Sequence, residues 1–307
     1  MKTLQKLGDI EVEANNLVDG RKFMLDALSL AQAKGIDNLV KRGLIDLGNT
    51  FLAETKYAQA EDYFQQSLKL SLQQKDARNS ARARLSLASL AERQGNSDQV
   101  ITYIEQALPF YQQGGYRKQM LQALALYGRA KVQKGEYDDA AKAFQQELEV
   151  AQQFDDQAQA GLAHEDLGLL LLKRSQYTQA LPHFEETYKI AKSLGTIKNI
   201  NLSLIDRANA FWRLGRYDDA RAALAEAAPV ATRDNAPELL SATYCMSLAR
   251  LELTQRHFPE AVRNSQKAFT LAGTQLKRTA IMATFTGGLA QVLSGSASGG
   301  SPRASRS

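Results

Sequence analysis

The chain has 307 residues, of which 44% are hydrophobic and 23% charged, and its formal net charge is +5. This composition is typical of a folded protein with a sizeable core, and it excludes a wholly disordered chain. Six prolines and twenty glycines are too few for a turn-rich all-β fold, so we expect long helices.

Cysteine content, apolar runs and charge narrow the class of protein further. The single cysteine, Cys245, excludes an intrachain disulfide and a cysteine-based zinc cluster. Asp9 and Glu11 lie where a signal peptide needs an apolar segment, and no apolar run is long enough to span a membrane. We therefore expect a cytoplasmic protein without a membrane partner. Because Arg303 and Arg306 supply two of the five net positive charges, too little basic excess is left to indicate a nucleic-acid partner.

One pattern recurs every 40 residues, and finally after 41, along most of the chain. Its first column is a small residue in all seven repeats: Gly8, Gly48, Ala88, Gly128, Gly168, Ala208 and Ala249. Nine residues later stands a column that is aromatic in five of seven repeats: Leu17, Tyr57, Ser97, Tyr137, Tyr177, Tyr217 and Phe258. Twelve residues after the small residue the column is mostly alanine, and sixteen after it the column is mostly large and apolar. A small residue opposite an alanine lets two helices approach closely, so each repeat predicts a helix hairpin.

In chain order, the pattern predicts seven hairpins within residues 1–272. Their expected bounds are about 1–37, 38–77, 78–117, 118–157, 158–197, 198–237 and 238–272. Glycines such as Gly95 and Gly135 follow the first helix of a hairpin, where a left-handed residue ends a helix. The acidic pairs Asp138–Asp139 and Asp218–Asp219 stand where a second helix begins, which suits the positive end of the helix dipole.

The two ends of the chain predict different elements. Residues 273–293 predict a capping helix that covers the last open core face. Residues 294–307 are rich in serine, glycine and arginine and predict a disordered tail. Because the sequence starts directly inside the first helix, the N-terminal hairpin lacks a cap, and we expect that hairpin to fray or to self-associate.

A small residue at position 8 of the repeat, an aromatic at 17, alanine at 20 and an aromatic at 24 resemble tetratricopeptide repeats. The resemblance implies an all-α, right-handed α-solenoid of seven helix hairpins with a C-terminal capping helix. The usual unit is about 34 residues, so the 40-residue unit implies longer helices, similar to those of scaffold proteins, kinesin light chains and bacterial regulatory proteins. The third repeat departs from the pattern at Ser97 and Val100.

The sequence contains no constellation of catalytic residues. A glycine-rich phosphate loop, a His-Glu-x-x-His helix and a Gly-x-Ser-x-Gly elbow are all lacking, so we expect a protein that is not an enzyme and that needs no cofactor or metal. The histidines, His164, His183 and His257, are widely spaced. His164 and Cys245 occupy a repeat position that is leucine elsewhere, which indicates packed side chains rather than a ligand or a reactive thiol.

The resemblance assigns ligand binding to the concave face, which the first helix of each hairpin forms. The predicted peptide-binding groove consists of Asn49, Arg82, Arg129, Leu169, Asn209, Trp212, Arg213 and Arg250. Asparagine both donates and accepts hydrogen bonds, and arginine holds carboxylates with a fork of donors, so these residues suit a peptide backbone. Plain solvation explains each polar residue as well, and core packing is an equal alternative for Trp212.

The chemistry of the groove bears on the class of partner. Of the carboxylate clamp found in chaperone-binding members of the family, only Asn49 has a counterpart, so a chaperone C-terminal peptide is not expected. Toward the C-terminal half the groove becomes more apolar, at Leu162, Leu169 and Leu202, which favours an amphipathic helix.

Two functions fit this sequence. The first is a non-catalytic scaffold that binds a peptide or helix of a partner protein. The alternative is a regulatory or sensor region of a larger signalling protein, linked to a kinase or an ATPase, which acts through intramolecular or partner contacts. Nucleic-acid binding by a related helical repeat is disfavoured by the repeat length and by the small net charge.

Overall fold

A computed structural model describes residues 2–13, 16–273 and 277–298 of the chain. Over these residues the chain forms fifteen helices and no strand. The helices are α1 (Lys2–Glu13), α2 (Leu17–Ala33), α3 (Asp37–Ala53), α4 (Tyr57–Gln73), α5 (Ala77–Gln94), α6 (Ser97–Gln113), α7 (Arg117–Lys134), α8 (Tyr137–Gln153), α9 (Gln157–Lys173), α10 (Tyr177–Ser193), α11 (Ile197–Arg213), α12 (Tyr217–Ala231), α13 (Glu238–Thr254), α14 (Phe258–Ala272) and α15 (Lys277–Ser298). The predicted all-α class, with seven helix hairpins and one further C-terminal helix, is confirmed.

The helices belong to two compact units. The N-terminal unit, residues 1–155, contains the hairpins α1–α2, α3–α4, α5–α6 and α7–α8. The C-terminal unit, residues 156–307, contains α9–α10, α11–α12 and α13–α14 together with α15. In each unit the two helices of a hairpin pack against each other, and each hairpin packs against the next in that unit. We call the odd-numbered helices α1 to α13 the first helices.

A glycine packed on a phenylalanine ring sets the approach of the two helices within a hairpin. A Cβ atom added at Gly48 would lie 2.3 Å from a ring atom of Phe64, and one added at Gly168 would lie 2.6 Å from the ring of Phe184. Both phenylalanines are fully buried. Glycine therefore permits a separation between the two backbones that no other residue allows without a shift of the ring.

The short turns between helices rely on residues with left-handed backbone conformation. Gly95 and Gly135 have φ of 74° and 79°, and each ends a first helix, as the sequence predicts. At other turns a residue with a side chain takes the same conformation, as at Thr55 with φ of 58°. The acidic pairs Asp138–Asp139 and Asp218–Asp219 lie in the first turns of α8 and α12, where they face the positive ends of those helices.

The last helix is longer than the sequence predicts. Helix α15 continues to Ser298, so residues 294–298 are helical, whereas the sequence places them in a disordered tail. Neither a proline nor a glycine pair interrupts these five residues, and the strong helix breakers Gly299, Gly300 and Pro302 follow only afterwards. Residues 299–307 of the predicted tail lie outside the described residues.

Candidate peptide-binding surface

In the N-terminal unit, α3, α5 and α7 carry polar residues that are exposed or half-buried, and four of their charged groups form two pairs. Arg129 Nε donates to Glu92 Oε1 at 2.7 Å, which links α7 to α5. The Arg42 guanidinium and the Asp46 carboxylate of α3 lie 3.6 Å apart. Arg42 and Arg129 thus have carboxylate partners within the chain.

In the C-terminal unit, the equivalent positions on α9, α11 and α13 carry more apolar area. Leu162 and Leu169 of α9 are 41% and 37% exposed, so both present much of their side chains to solvent. Leu172, Leu202 and Leu253 are half-buried on the same series of helices. We call these five leucines, together with the polar and aromatic residues of α9 and α11 described next, the C-terminal first-helix surface. Those residues are Glu165, Asp206, Asn209, Trp212 and Arg213.

Two hydrogen bonds between α11 and α13 fix polar side chains on this surface. Ser247 Oγ donates to Asn209 Oδ1 at 3.0 Å, and Trp212 Nε1 donates to Thr254 Oγ1 at 2.8 Å. Trp212 is half-buried and packs against the core below, so its ring belongs to both the core and the surface. Trp212 and Asn209 are therefore held in one orientation before any ligand arrives.

Arg213 stands at the end of α11 and is exposed. Its guanidinium carbon lies 4.8 Å from the centre of the Trp212 ring and 5.9 Å from that of Tyr177. These cation–π contacts hold the charge over an aromatic patch and leave it open to solvent.

Two carboxylates lie among the leucines of the C-terminal first-helix surface. Asp206 of α11 is half-buried, and burial, with a smaller contribution from the negative charge of Glu165 on α9, raises the pKa of Asp206 well above its usual range. A cationic side chain placed at this pair would offset both effects. Neither acid is among the groove residues predicted from the sequence.

The structure divides the predicted groove residues between the two units. Asn49, Arg82 and Arg129 lie in the N-terminal unit, where Asn49 is exposed and the two arginines are half-buried. The C-terminal unit brings the others onto one series of first helices: Leu169, Asn209, Trp212, Arg213 and Arg250. Contacts within the chain fix Asn209, Trp212 and Arg213 as described above, and the binding role of all eight residues stays a prediction.

Comparison with known families accounts for the repeat. Residues 42–113 and 119–193 match the tetratricopeptide repeat family. These two segments of the chain therefore consist of tetratricopeptide repeats. A search of the curated proteins found no significant match.

Several solved structures resemble this chain in fold. A tetratricopeptide repeat protein from Parabacteroides merdae is 17% identical with a TM-score of 0.65, over 92% of this chain and 98% of the other. A signal transduction ATPase with numerous domains and a tetratricopeptide repeat sensor, from Pyrococcus horikoshii, is 14% identical with a TM-score of 0.68, over 96% of this chain and 44% of the other. A Rap protein complexed with competence and sporulation factor is 13% identical with a TM-score of 0.57, over 92% and 82%. At such identities the likeness shows the fold alone.

Two histidines that the sequence presents as widely spaced meet within one hairpin of this repeat protein. His164 Nδ1 of α9 lies 3.0 Å from His183 Nδ1 of α10, so one ring donates and the other accepts. Burial lowers the pKa of both rings, which favours the neutral forms that this bond requires. The expectation that His164 is a packed helix-interface residue agrees with this position, but the view of the histidines as scattered is wrong for this pair.

The other groups singled out for chemistry have structural surroundings. Cys245 is buried, and burial raises the pKa of its thiol, as expected for an unreactive cysteine. Within the described residues, no group of three or more histidine, cysteine, aspartate or glutamate side chains is arranged to hold a metal ion. None of the helices described is both long and apolar enough to cross a membrane.

Proposed function

We propose that this chain is a non-catalytic interaction scaffold. In this proposal, a peptide or helix of a partner protein binds to the C-terminal first-helix surface. The observation that carries the proposal is the exposure of Leu162 and Leu169 beside side chains that are already held in place.

Exposed leucines supply the binding energy in this proposal. Leu162 and Leu169 are seven residues apart, so they lie two turns apart on the same face of α9. Full burial of one leucine side chain contributes about 1.5–3 kcal/mol. A partner segment that covers both residues gains part of this energy from each without any change in the helices.

Polar groups near the leucines supply orientation. The Asn209 amide combines donor and acceptor in a fixed position, which suits a peptide backbone. The Asp206 carboxyl, whose pKa is raised by burial and by the nearby negative charge of Glu165, favours a basic residue on the partner, next to the apolar residues that cover the leucines. The preferred partner is therefore a short amphipathic segment that carries lysine or arginine beside leucine-sized side chains.

A peptide selection tests this proposal. Random peptides are selected on the purified chain, and the affinity of an enriched peptide is then measured by fluorescence anisotropy. We expect the double variant Leu162→Ser/Leu169→Ser to weaken binding at least tenfold, since anchor residues of this kind contribute more than about 1.4 kcal/mol together.

The matched control makes the same chemical change elsewhere. Leu72 and Leu194 are 52% and 46% exposed at the ends of second helices, away from the first-helix surface. The variant Leu72→Ser/Leu194→Ser is expected to bind the peptide with unchanged affinity. Equal loss in both variants, or no loss in either, would contradict the proposed site.

The alternative function is a sensor region within a larger signalling protein. The observation in its favour is that 96% of this chain aligns with part of the Pyrococcus horikoshii ATPase, which carries a tetratricopeptide repeat sensor. Both functions use the same surface. They differ in the ligand. A sensor region that acts within one protein binds a segment of its own flanking domain most tightly, whereas a scaffold binds segments of separate proteins.

A further inference from the structure

Helix α15 turns large apolar side chains toward solvent. Ile281 and Phe285 are 67% and 65% exposed, and Leu289 is 39% exposed. Their spacing of four residues places them along one face of the helix. The opposite face carries Ala283 and Ala290, which are buried where α15 packs on α13 and α14.

The composition of α15 is unusual for a helix at the surface. Residues 279–298 contain no aspartate, glutamate, lysine or arginine. A terminal element that only closes a helical repeat array needs a polar outer face to stay soluble. Twenty helical residues without a charged side chain, with exposed isoleucine and phenylalanine among them, instead have the character of an interface.

The shape of this face suits contact with another helix. Gly288 lies between Phe285 and Leu289 on the exposed side, and a Cβ atom added to Gly288 would meet nothing within 4 Å. The backbone is therefore open to close approach at this point, one turn from a protruding phenylalanine. Beside it, a groove of about 600 Å³ runs between α14 and α15 and includes Phe269, which is 53% exposed.

We propose that α15 is a self-association surface through which two copies of the chain pair about a two-fold axis. The two α15 helices lie antiparallel and cross near Gly288. Each copy then offers a protruding Phe285 and a recessed glycine to the other, so the same patch serves both partners, as an isologous interface requires. This inference is independent of the peptide-binding proposal.

A second copy is the occupant that the charges favour. The other exposed apolar residues at an end of the chain are on the first hairpin, where Ile10 and Val18 are 58% and 69% exposed. That hairpin also exposes Asp19 and Lys22. Burying these charges against residues 279–298 would strip their water without a partner in return, whereas residues 279–298 packed against their own copy bury no charged side chain.

Sedimentation velocity across micromolar concentrations tests the proposal with the full chain. We expect a dimer for the wild type and a monomer for Phe285→Glu, with unchanged helix content because Phe285 is exposed. The matched control Val18→Glu makes the same kind of change at the other end and is expected to stay dimeric. A monomeric wild type overturns the proposal, and so does a dimer that survives Phe285→Glu or dissociates in Val18→Glu.

A cysteine scan tests the two-fold geometry itself. In a Cys245→Ala background, Gly288→Cys places the single thiol at the proposed axis, where a residue meets its own copy. We expect mild oxidation to form a covalent dimer rapidly at this position, and only slowly for the control Gln145→Cys on the exposed side of α8, in the N-terminal unit. Equal rates at the two positions would overturn the pairing.

Discussion

The first helices of the two units have the same backbone architecture and opposite surface chemistry. In the N-terminal unit, Arg129 pairs with Glu92 and Arg42 lies beside Asp46, so these two arginines already have carboxylate partners within the chain. In the C-terminal unit, Leu162 and Leu169 remain exposed beside half-buried Asp206. The repeat thus fixes the direction of a side chain but not its chemistry. The C-terminal surface gains more free energy than the N-terminal one when a ligand covers it, because it exposes more apolar area.

The largest expected effect concerns an ion pair between a buried lysine and a half-buried aspartate in the N-terminal unit. Lys41 is 4% exposed, and its Nζ lies 2.6 Å from Asp76 Oδ2, while Asp76 also accepts from the backbone of Asn79 and caps α5. The variant Asp76→Ala leaves the Lys41 ammonium without its carboxylate and removes the cap. We expect a loss of about 3 kcal/mol in the free energy of unfolding, measured by urea denaturation. Asp62→Ala, an exposed site, serves as control with a change below about 0.5 kcal/mol.

The same carboxylate gives a pH dependence with a definite sign. Burial alone would raise the pKa of Asp76, but hydrogen bonds from Lys41 and Asn79 lower it to about 2. Because the folded-state pKa lies below the ordinary 3.8, this stabilisation is present above that pH and disappears as the pH falls toward 2. The acid-dependent loss should be smaller in Asp76→Ala than in the wild type. Parallel curves would contradict the assigned role of Asp76.

A second expected effect lies in the C-terminal unit and concerns the hairpin itself. Gly168→Ala places a Cβ atom 2.6 Å from the Phe184 ring, which is buried and cannot turn away. We expect a loss of about 2 kcal/mol in the free energy of unfolding. Gly43→Ala is the matched control, because its Cβ would lie 3.4 Å from the flexible end of Leu28, and it is expected to leave stability unchanged or higher. A neutral Gly168→Ala would mean that the close approach of the two helices is not required.

A smaller expected effect is a pH dependence of peptide affinity at the C-terminal first-helix surface. A partner lysine or arginine near Asp206 binds the ionised carboxylate best, so binding a basic peptide releases a proton. Because the pKa of Asp206 is raised in the free protein, affinity for such a peptide is expected to increase with pH. In Asp206→Asn the increase should vanish, which anisotropy titrations at several pH values measure. A peptide without basic residues provides the control.

The smallest expected effect is on the N-terminal surface. The side chains of Arg129 and Glu92 are 41% and 31% exposed, so their ion pair is screened by water. Arg129→Ala should lower the free energy of unfolding by less than about 1 kcal/mol. It should also leave the affinity of a peptide selected on the chain unchanged. A large loss of affinity would place the binding site in the N-terminal unit and reverse the comparison.

The fold could be predicted from sequence because the same kind of helix-packing contact recurs from one repeat to the next. Gly48 with Phe64, and Gly168 with Phe184, appear as two columns sixteen residues apart, and the structure shows each glycine on its phenylalanine ring. Such a contact is dictated by shape and needs no knowledge of distant residues. The seven hairpins therefore follow from the columns.

The candidate site was less predictable because its chemistry depends on contacts between repeats. Position numbers place Arg129, Asn209 and Trp212 on one side of their helices. They do not show that Glu92 already pairs with Arg129, or that Ser247 and Thr254 fix the other two. The His164–His183 pair was missed for the same reason, since nineteen residues separate two rings that the hairpin brings together.

Hydrogen–deuterium exchange of the chain with and without a selected peptide tests the central claim most directly. Amide exchange should slow on α9 and α11, residues 157–173 and 197–213, while the first helices of the N-terminal unit, α3, α5 and α7, keep their exchange rates. Protection limited to α3, α5 and α7, or to the second helices, would contradict a binding surface on the C-terminal first helices.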